Sequence, residues 1–240
     1  MKTQKLWILN GLLLLSCVFM ANTLPAQWAK GNGNVIEQER EVGSFDIIKV
    51  QKGINLYLVQ GSPASLSVKA DENLMDHIIT KVEGNTLYLD VKGSIRTVTA
   101  MNVYVTLPNL SELHASGGSD VFAEEGLKVD ELKLVCSGGS DTKMKLEAGS
   151  LFCETSGGSD LLLSGKAEKL VVKASGGSDF DGKKLEVING SIHTSGASDV
   201  WVYATGEIEM EASGASDIHF KGGAKVISSK SSGGSDIHMN

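Results

Sequence analysis

Residues 116–120 read SGGSD, and this phrase recurs as SG[GA]SD six more times before the chain reaches Asp236. The aspartates that end the copies stand 18 to 21 residues apart. A regular period of this length is typical of solenoids, in which each repeat packs on its neighbours. The first glycines of the seven turns are Gly117, Gly138, Gly157, Gly176, Gly196, Gly214 and Gly233, and the aspartates are Asp120, Asp141, Asp160, Asp179, Asp199, Asp217 and Asp236.

The residues around each turn predict a strand on either side of it. The residue before the first serine is small or a cysteine in all seven copies, and the residue after the aspartate is apolar in six of them. Polar side chains stand between these positions, which is the period of two expected of a strand. We therefore predict an all-β chain whose residues 111–240 form a parallel β-solenoid with coils of about 19 residues. Right-handed winding is the default for parallel crossovers.

The earlier half of the chain is also predicted to be rich in strands. A polar leader covers residues 27–43, and period-two alternation then runs from Phe45 through a β-rich segment over residues 44–110. This segment is either a separate domain or continuous with the solenoid. One short helical stretch is predicted near residues 74–79, with Asp71 as its N-cap.

Several phrases in this half resemble a known family. They are Gly53-Ile54-Asn55 within KGINLYLVQG, the following ADENLMDHI, and VYVTLPNLSEL at residues 103–113. Together with the glycine-rich repeats they resemble the head GIN domain family of auto-transporter adhesins, which is common in Bacteroidetes-like bacteria, over about residues 40–240. The resemblance implies a pectin-lyase-like β-helix and a role in adhesion, and it carries over no catalytic residue.

The first 26 residues have the layout of a secretory signal peptide. Two lysines precede an apolar run, and Leu24-Pro25-Ala26 offers a cleavage site before Gln27. A rival interpretation makes Cys17 the lipidated residue of a lipoprotein. Either alternative predicts an exported protein that resides in the periplasm, on the outer surface or outside the cell.

Composition bounds the function. The formal net charge is −7, and removal of residues 1–26 takes away two lysines and no acidic residue, which makes the remaining chain more acidic. An acidic chain argues against nucleic acid as a partner, because neutralising phosphates needs a basic surface. Apolar residues make up 41% of the chain and aromatic residues only 5%, so the predicted core is aliphatic.

Cys136 and Cys153 are expected to be free, buried thiols. Relative to their turns they lie one and three residues before the first serine, so they are offset by two positions on adjacent strands. This places their Cα atoms roughly 8 Å apart, beyond the reach of a disulfide.

The turn residues support two interpretations. The first glycine is present in all seven copies, whereas the second becomes Ala197 and Ala215, so only the first is predicted to need a positive φ. The aspartates are expected to accept hydrogen bonds from their own turn N–H groups or the adjacent serine hydroxyl, as in Asx turns. The alternative is a row of Ca²⁺ sites built from carboxylate oxygens.

Two local groups are candidate binding sites. Asp217, His219, Asp236 and His238 form i, i+2 pairs one coil apart and could hold Zn²⁺ or another transition metal; the alternative is a set of solvated polar positions. Trp201 and Tyr203 lie on the outward register and could stack on a sugar or a partner protein, or could cover a loop.

Two classes of function follow. The first is a non-catalytic secreted or cell-surface solenoid that binds a glycan, a protein or its own copies, the last through the edge of the C-terminal coil. The alternative is a polysaccharide-active enzyme of the β-helix type, or a Ca²⁺-stabilised structural surface protein. The sequence shows no nucleophile motif and no acidic pair outside the repeated column, so the non-catalytic class is favoured, with no cofactor required.

Overall fold

The computed structural model describes residues 28–239, which form strands and one 3₁₀ helix, Glu72–His77. The predicted signal peptide at residues 1–26 and Cys17 lie outside the described residues. The strands are β1 (Ala29–Lys30), β2 (Val35–Glu39), β3 (Ile47–Val50), β4 (Asn55–Gln60), β5 (Ser65–Asp71), β6 (Ile78–Glu83), β7 (Thr86–Val91), β8 (Ile95–Thr97), β9 (Met101–Leu107), β10 (Glu112–Ala115), β11 (Val121–Ser137), β12 (Asp141–Ser156), β13 (Asp160–Ala174), β14 (Asp179–Thr194), β15 (Val200–Gly214), β16 (Asp217–Lys221), β17 (Lys225–Gly233) and β18 (Asp236–Met239).

The strands pair in two stacks, apart from β1 and β8, which pair only with each other. The pre-turn stack runs from β6 through β7, β3 and β10 to the second halves of β11–β15 and ends at β17. The post-turn stack runs from β2 through β5, β9 and β4 to the first halves of β11–β15 and ends at β16 and β18. Every pairing from β3 and β4 onward is parallel, which confirms the predicted parallel β-solenoid.

The sheet continues through the segment over residues 44–110. The β3–β4 coil pairs with β10 and β11 on one side and with β7 and β9 on the other. Beyond that coil the pairing becomes antiparallel, because β6 forms a hairpin with β7, and β5 lies between β9 and the edge strand β2. The predicted polar leader thus contributes an edge strand to the sheet.

Asp71 does not cap the helix as the sequence predicts. It precedes the 3₁₀ helix but makes no side-chain cap bond. Its fully buried carboxylate instead accepts the N–H groups of Gly33 (2.7 Å), Thr99 (2.7 Å) and Ala100 (3.2 Å). The expectation fails because these three donors come from segments distant in sequence, and they compete for the carboxylate that a local cap would use.

The interior is filled by the columns that alternation assigns to it. Leu113, Leu134 and Val172 before the turns, and Val121, Leu161 and Phe180 after them, are each at most 1% exposed. The variation in coil length is absorbed away from the turns, where register shifts follow Ala123, Leu162 and Gly182. Each turn can therefore lie directly on the previous one although the coils differ in length.

Both cysteines are free and buried, as predicted. Leu134 pairs with Cys153, and Cys136 pairs with Thr155, which is the expected two-residue offset. Burial raises the pKa of Cys136 to about 11 and raises the pKa of Cys153 as well. Both thiols stay protonated at neutral pH and are poor nucleophiles.

The turn glycines follow the predicted pattern in part. The first glycine has a positive φ in all seven copies, from +63° at Gly117 to +85° at Gly214. The prediction for the second position is wrong in the first two copies, where Gly118 and Gly139 also have a positive φ. A Cβ at either position would meet no neighbouring atom, so lack of space is not the reason for glycine there. The reason is the positive φ, which glycine adopts readily and alanine, found at this position in later copies, disfavours.

A matched pair of substitutions tests this turn. We expect Gly157→Ala to lower the free energy of unfolding by roughly 1–3 kcal/mol, because φ is +78° there and the new Cβ would lie 3.0 Å from the Gly138 nitrogen. Gly158→Ala should change it by less than about 0.5 kcal/mol, since that position has open space and no positive φ. Urea unfolding curves of both variants check this, and equal midpoints would contradict it.

The C-terminal coil is the other end of both stacks. Among the described residues, β17 pairs only with β15, and β18 pairs only with β16. Val226, Ile227 and Met239 are exposed there, at 37%, 45% and 51%. Association of copies through this edge stays a prediction.

Candidate functional site

The turn aspartates line up along the solenoid. Asp141 pairs with Asp160, Asp160 with Asp179, and Asp217 with Asp236. Burial and the neighbouring aspartates raise the pKa of Asp160, and burial and Asp141 raise that of Asp120. This row is therefore a strip of mutually repelling carboxylates.

These carboxylates bind between coils rather than within their own turns. Asp179 accepts the backbone N–H of Asp199 at 3.2 Å, and Asp217 accepts that of Asp236 at 3.0 Å. The Asx-turn expectation is wrong for Asp179 and Asp217, because the next coil presents an N–H at the level of each of these two carboxylates. The bonds link successive coils and offset part of the repulsion.

The second serine of each turn is the structural residue that sequence reasoning missed. All seven are at most 6% exposed: Ser119, Ser140, Ser159, Ser178, Ser198, Ser216 and Ser235. The Ser159 hydroxyl lies 3.0 Å from the carbonyl oxygens of Ser156 in its own turn and Cys136 in the previous coil. The signal was its presence in every copy, which a buried hydroxyl bonded to backbone carbonyls explains.

The second residue after each turn aspartate points outward in the post-turn stack. These seven residues form one row with their register partners Tyr57 and Tyr104, and we call this row, which crosses nine strands, the outward column. In spatial order it consists of Tyr104, Tyr57, Phe122, Lys143, Leu162, Asp181, Trp201, His219 and His238.

The rings of the outward column stack at both of its ends. At one end, Tyr57 stacks on Tyr104 at 4.9 Å between centroids and on Phe122 at 5.2 Å. At the other end, Trp201 stacks on His219 at 5.2 Å. In-register parallel strands bring equivalent side chains to this distance, so the rings meet face to face along the solenoid axis.

Trp201 therefore has both ring faces covered. The Lys183 ammonium lies 4.1 Å above the ring centroid on the side of the preceding strand, and His219 covers the side of the next strand. Sugars stack on free ring faces, so this arrangement gives a glycan little access to Trp201. Tyr203 lies beside it, half-buried, in a cavity of about 300 Å³ that Lys183, His219 and Lys221 also line.

The structure brings together three of the four predicted metal ligands. One ligand atom each of Asp217, His219 and His238 lies within 4.8 Å of the other two. Asp236 does not join them: its side chain is exposed, and it contributes its backbone N–H to Asp217. Within residues 28–239 no other group of three His, Cys, Asp or Glu residues converges in this way.

Comparison with solved structures supports the fold. The chain is similar to a putative adhesin from Bacteroides fragilis, with a TM-score of 0.84 and 23% identity over 88% of this chain and 100% of that one. A putative adhesin from Parabacteroides merdae gives 0.73 and 21% over 90% and 100%. A putative lipid binding protein from Parabacteroides distasonis gives 0.72 and 20% over 89% and 100%.

No curated protein matches the chain. Within the part that the structure describes, no helix is long and apolar enough to cross a membrane. The family model "Putative auto-transporter adhesin, head GIN domain" matches residues 44–224, which is most of the chain, and the protein therefore belongs to that family.

Proposed function

We propose that this protein is an exported, non-enzymatic adhesin module that binds a protein partner on the face of the post-turn stack. The observation that carries the proposal is the distribution of aromatic side chains. Among residues 28–239, five of the eight aromatic residues that are not buried lie on this one face: Tyr57, Tyr104, Phe122, Trp201 and Tyr203. Aromatic residues are enriched in protein interfaces and dominate their binding energy.

The geometry of the face favours a protein over a sugar. The stacked rings present their edges to solvent, and Leu162, which is 37% exposed, lies between the two stacks. Charged side chains accompany them, including Lys143 and the Asp181–Lys183 ion pair at 3.2 Å. An apolar row with interleaved charges suits a flat, mixed protein surface.

A non-enzymatic role is supported by what the perturbed acids do. The Asp71 carboxylate accepts hydrogen bonds from backbone N–H groups, and the Glu112 carboxylate lies 2.7 Å from both the Lys133 ammonium and the His114 ring. Within the row of turn aspartates, the pKa values of Asp120 and Asp160 are shifted in the same direction, whereas general acid–base chemistry uses a pair with opposed pKa shifts. The repeat distributes equivalent side chains along one extended surface, which suits binding.

Matched double variants test the proposal. Purified residues 27–240 are applied to immobilised extracellular proteins, such as collagen, fibronectin and mucin, and to a glycan array. For a protein that is bound, Leu162→Ser with Trp201→Ser should weaken binding at least about tenfold, because central interface anchors contribute more than 1 kcal/mol each. The control pairs Val171→Ser with Phe152→Ser, an aliphatic and an aromatic residue adjacent on the pre-turn stack.

Three outcomes would contradict the proposal. An equal loss of binding in both double variants would contradict the assignment of the binding site to the face of the post-turn stack. Binding to glycans alone would replace the protein partner with a carbohydrate. Release of reducing ends from a bound polysaccharide would make the protein an enzyme.

A further inference from the structure

We propose that Asp217, His219 and His238 form a site for a divalent first-row transition metal, with Zn²⁺ as the probe. The three residues belong to the last two strands of the post-turn stack. Asp217 and His219 are two residues apart on β16 and so share a face, and His238 is the register partner of His219 on β18. The parallel pairing thus fixes all three on one outward patch.

The distances between the three donor atoms allow them to converge on one metal ion by side-chain rotation alone. The donor atoms lie within 4.8 Å of one another. Ligands at about 2.0–2.1 Å from a tetrahedral zinc ion would lie about 3.3 Å apart. The imidazole rings stack at 4.8 Å between centroids with 13° between their planes, so their in-plane lone pairs run nearly parallel and the rings must tilt towards each other to share one ion. A shift of about 1–1.5 Å at the donor atoms, which side-chain torsions provide, completes the site while the paired backbone stays in place.

The neighbouring residues hold two of the ligands in position. One oxygen of Asp217 accepts the Asp236 N–H at 3.0 Å, which leaves its second oxygen for the metal. The Trp201 ring lies parallel to His219, with 7° between the planes, and covers its other face. Such second contacts orient ligands and tighten metal binding.

The donor set selects the class of ion. Two imidazoles and one carboxylate suit Zn²⁺, Cu²⁺ or Ni²⁺, whereas Ca²⁺ and Mg²⁺ prefer oxygen ligands alone. Three protein ligands leave a coordination position for water or for a side chain of a bound partner. The ion would tie β18 to β16 and so stabilise the last coil.

Isothermal titration with ZnCl₂ on untagged, EDTA-treated protein tests the site. We expect one ion per chain, with the affinity reduced more than about tenfold in His219→Ala, His238→Ala and Asp217→Asn. His193→Ala is the matched control, because His193 is an exposed histidine 3.5 Å from the carboxylate of Glu211 on the pre-turn stack, and it should bind like the wild type.

Thermal unfolding gives a second readout. Zn²⁺ should raise the Tm of the wild type and of His193→Ala, and it should leave the Tm of His238→Ala unchanged. His238 is exposed on the last strand, so its replacement keeps the fold, which circular dichroism verifies.

The proposal is overturned by any of three results. The first is no heat from the wild type with ZnCl₂, and the second is affinity that falls in His193→Ala as much as in His219→Ala. The third is binding of CaCl₂ at the same residues with equal affinity, which would contradict the assigned class of ion.

Discussion

Replacing Asp71 with alanine is expected to lower the free energy of unfolding by at least about 3 kcal/mol. The substitution removes the charged acceptor of three part-buried backbone hydrogen bonds, from the N–H groups of Gly33, Thr99 and Ala100, and a hydrogen bond to a charged group contributes about 1.5–3 kcal/mol. The carboxylate joins the segment before β2 and the link between β8 and β9 to the end of β5. Its loss therefore loosens the N-terminal end of the sheet as a unit.

Urea unfolding at pH 7 measures this effect. Asp71→Asn should recover only part of the stability. Its side-chain NH₂ group is a donor, and it would face a backbone N–H, which is also a donor. Asp76→Ala is the control: Asp76 is exposed on the adjacent 3₁₀ helix, and its replacement should change the free energy of unfolding by less than about 0.5 kcal/mol. Equal losses in the alanine variants of Asp71 and Asp76 would contradict the assignment.

The same residue gives a pH dependence. Burial alone would raise the pKa of Asp71, but the N–H donors of Thr99, Gly33 and Ala100 outweigh burial and hold it below its ordinary value. A depressed carboxyl pKa adds stability above the unfolded value of about 3.9, and this stability is lost as the pH falls through the folded value. The difference between wild type and Asp71→Ala should therefore shrink in acid, and a constant difference from pH 7 to pH 2.5 would contradict this explanation.

Phe180→Ala is expected to lower the free energy of unfolding by about 3–5 kcal/mol. The ring is fully buried in the interior column after the turns, where the neighbouring coils carry Leu161 and Val200. It also extends over Gly182, where an added Cβ would lie 2.7 Å from the ring. Gly182 stands in an interior column that holds Leu163 and Val202 in adjacent coils, so the phenylalanine occupies the volume that the glycine leaves free.

Thermal and urea unfolding of Phe180→Ala and Phe152→Ala measure this contribution. Phe152 is half-buried on the outside of the pre-turn stack, and its removal opens no internal cavity, so its loss should cost less than half as much. If the two variants unfold at the same urea concentration, the ring of Phe180 does not support the core in the way described.

The sequence alone determined the repeat, the positions of the turns, the positive φ of their first glycines and the interior columns. The alternation that includes Leu134 and Phe180 reflects the period of two of a strand, and the glycine at position 157 reflects a positive φ. Both are local requirements of the backbone, so seven similar segments satisfy them in the same way. The offset of Cys136 and Cys153 followed from the same register. These predictions succeeded because a solenoid places residue i beside its equivalent one coil later, so spatial neighbours can be counted along the chain.

Only the tertiary structure decided which groups come into contact where spatial neighbours do not follow the repeat period. It gave Asp71 three backbone donors from distant segments in place of a helix cap, and it placed the β3–β4 coil between β7–β9 and β10–β11. It also covered both faces of Trp201 and separated the Asp236 side chain from Asp217, His219 and His238. The physical reason is that a hydrogen bond or a ring stack depends on directions and distances of a few tenths of an ångström, which residue types and spacing do not specify.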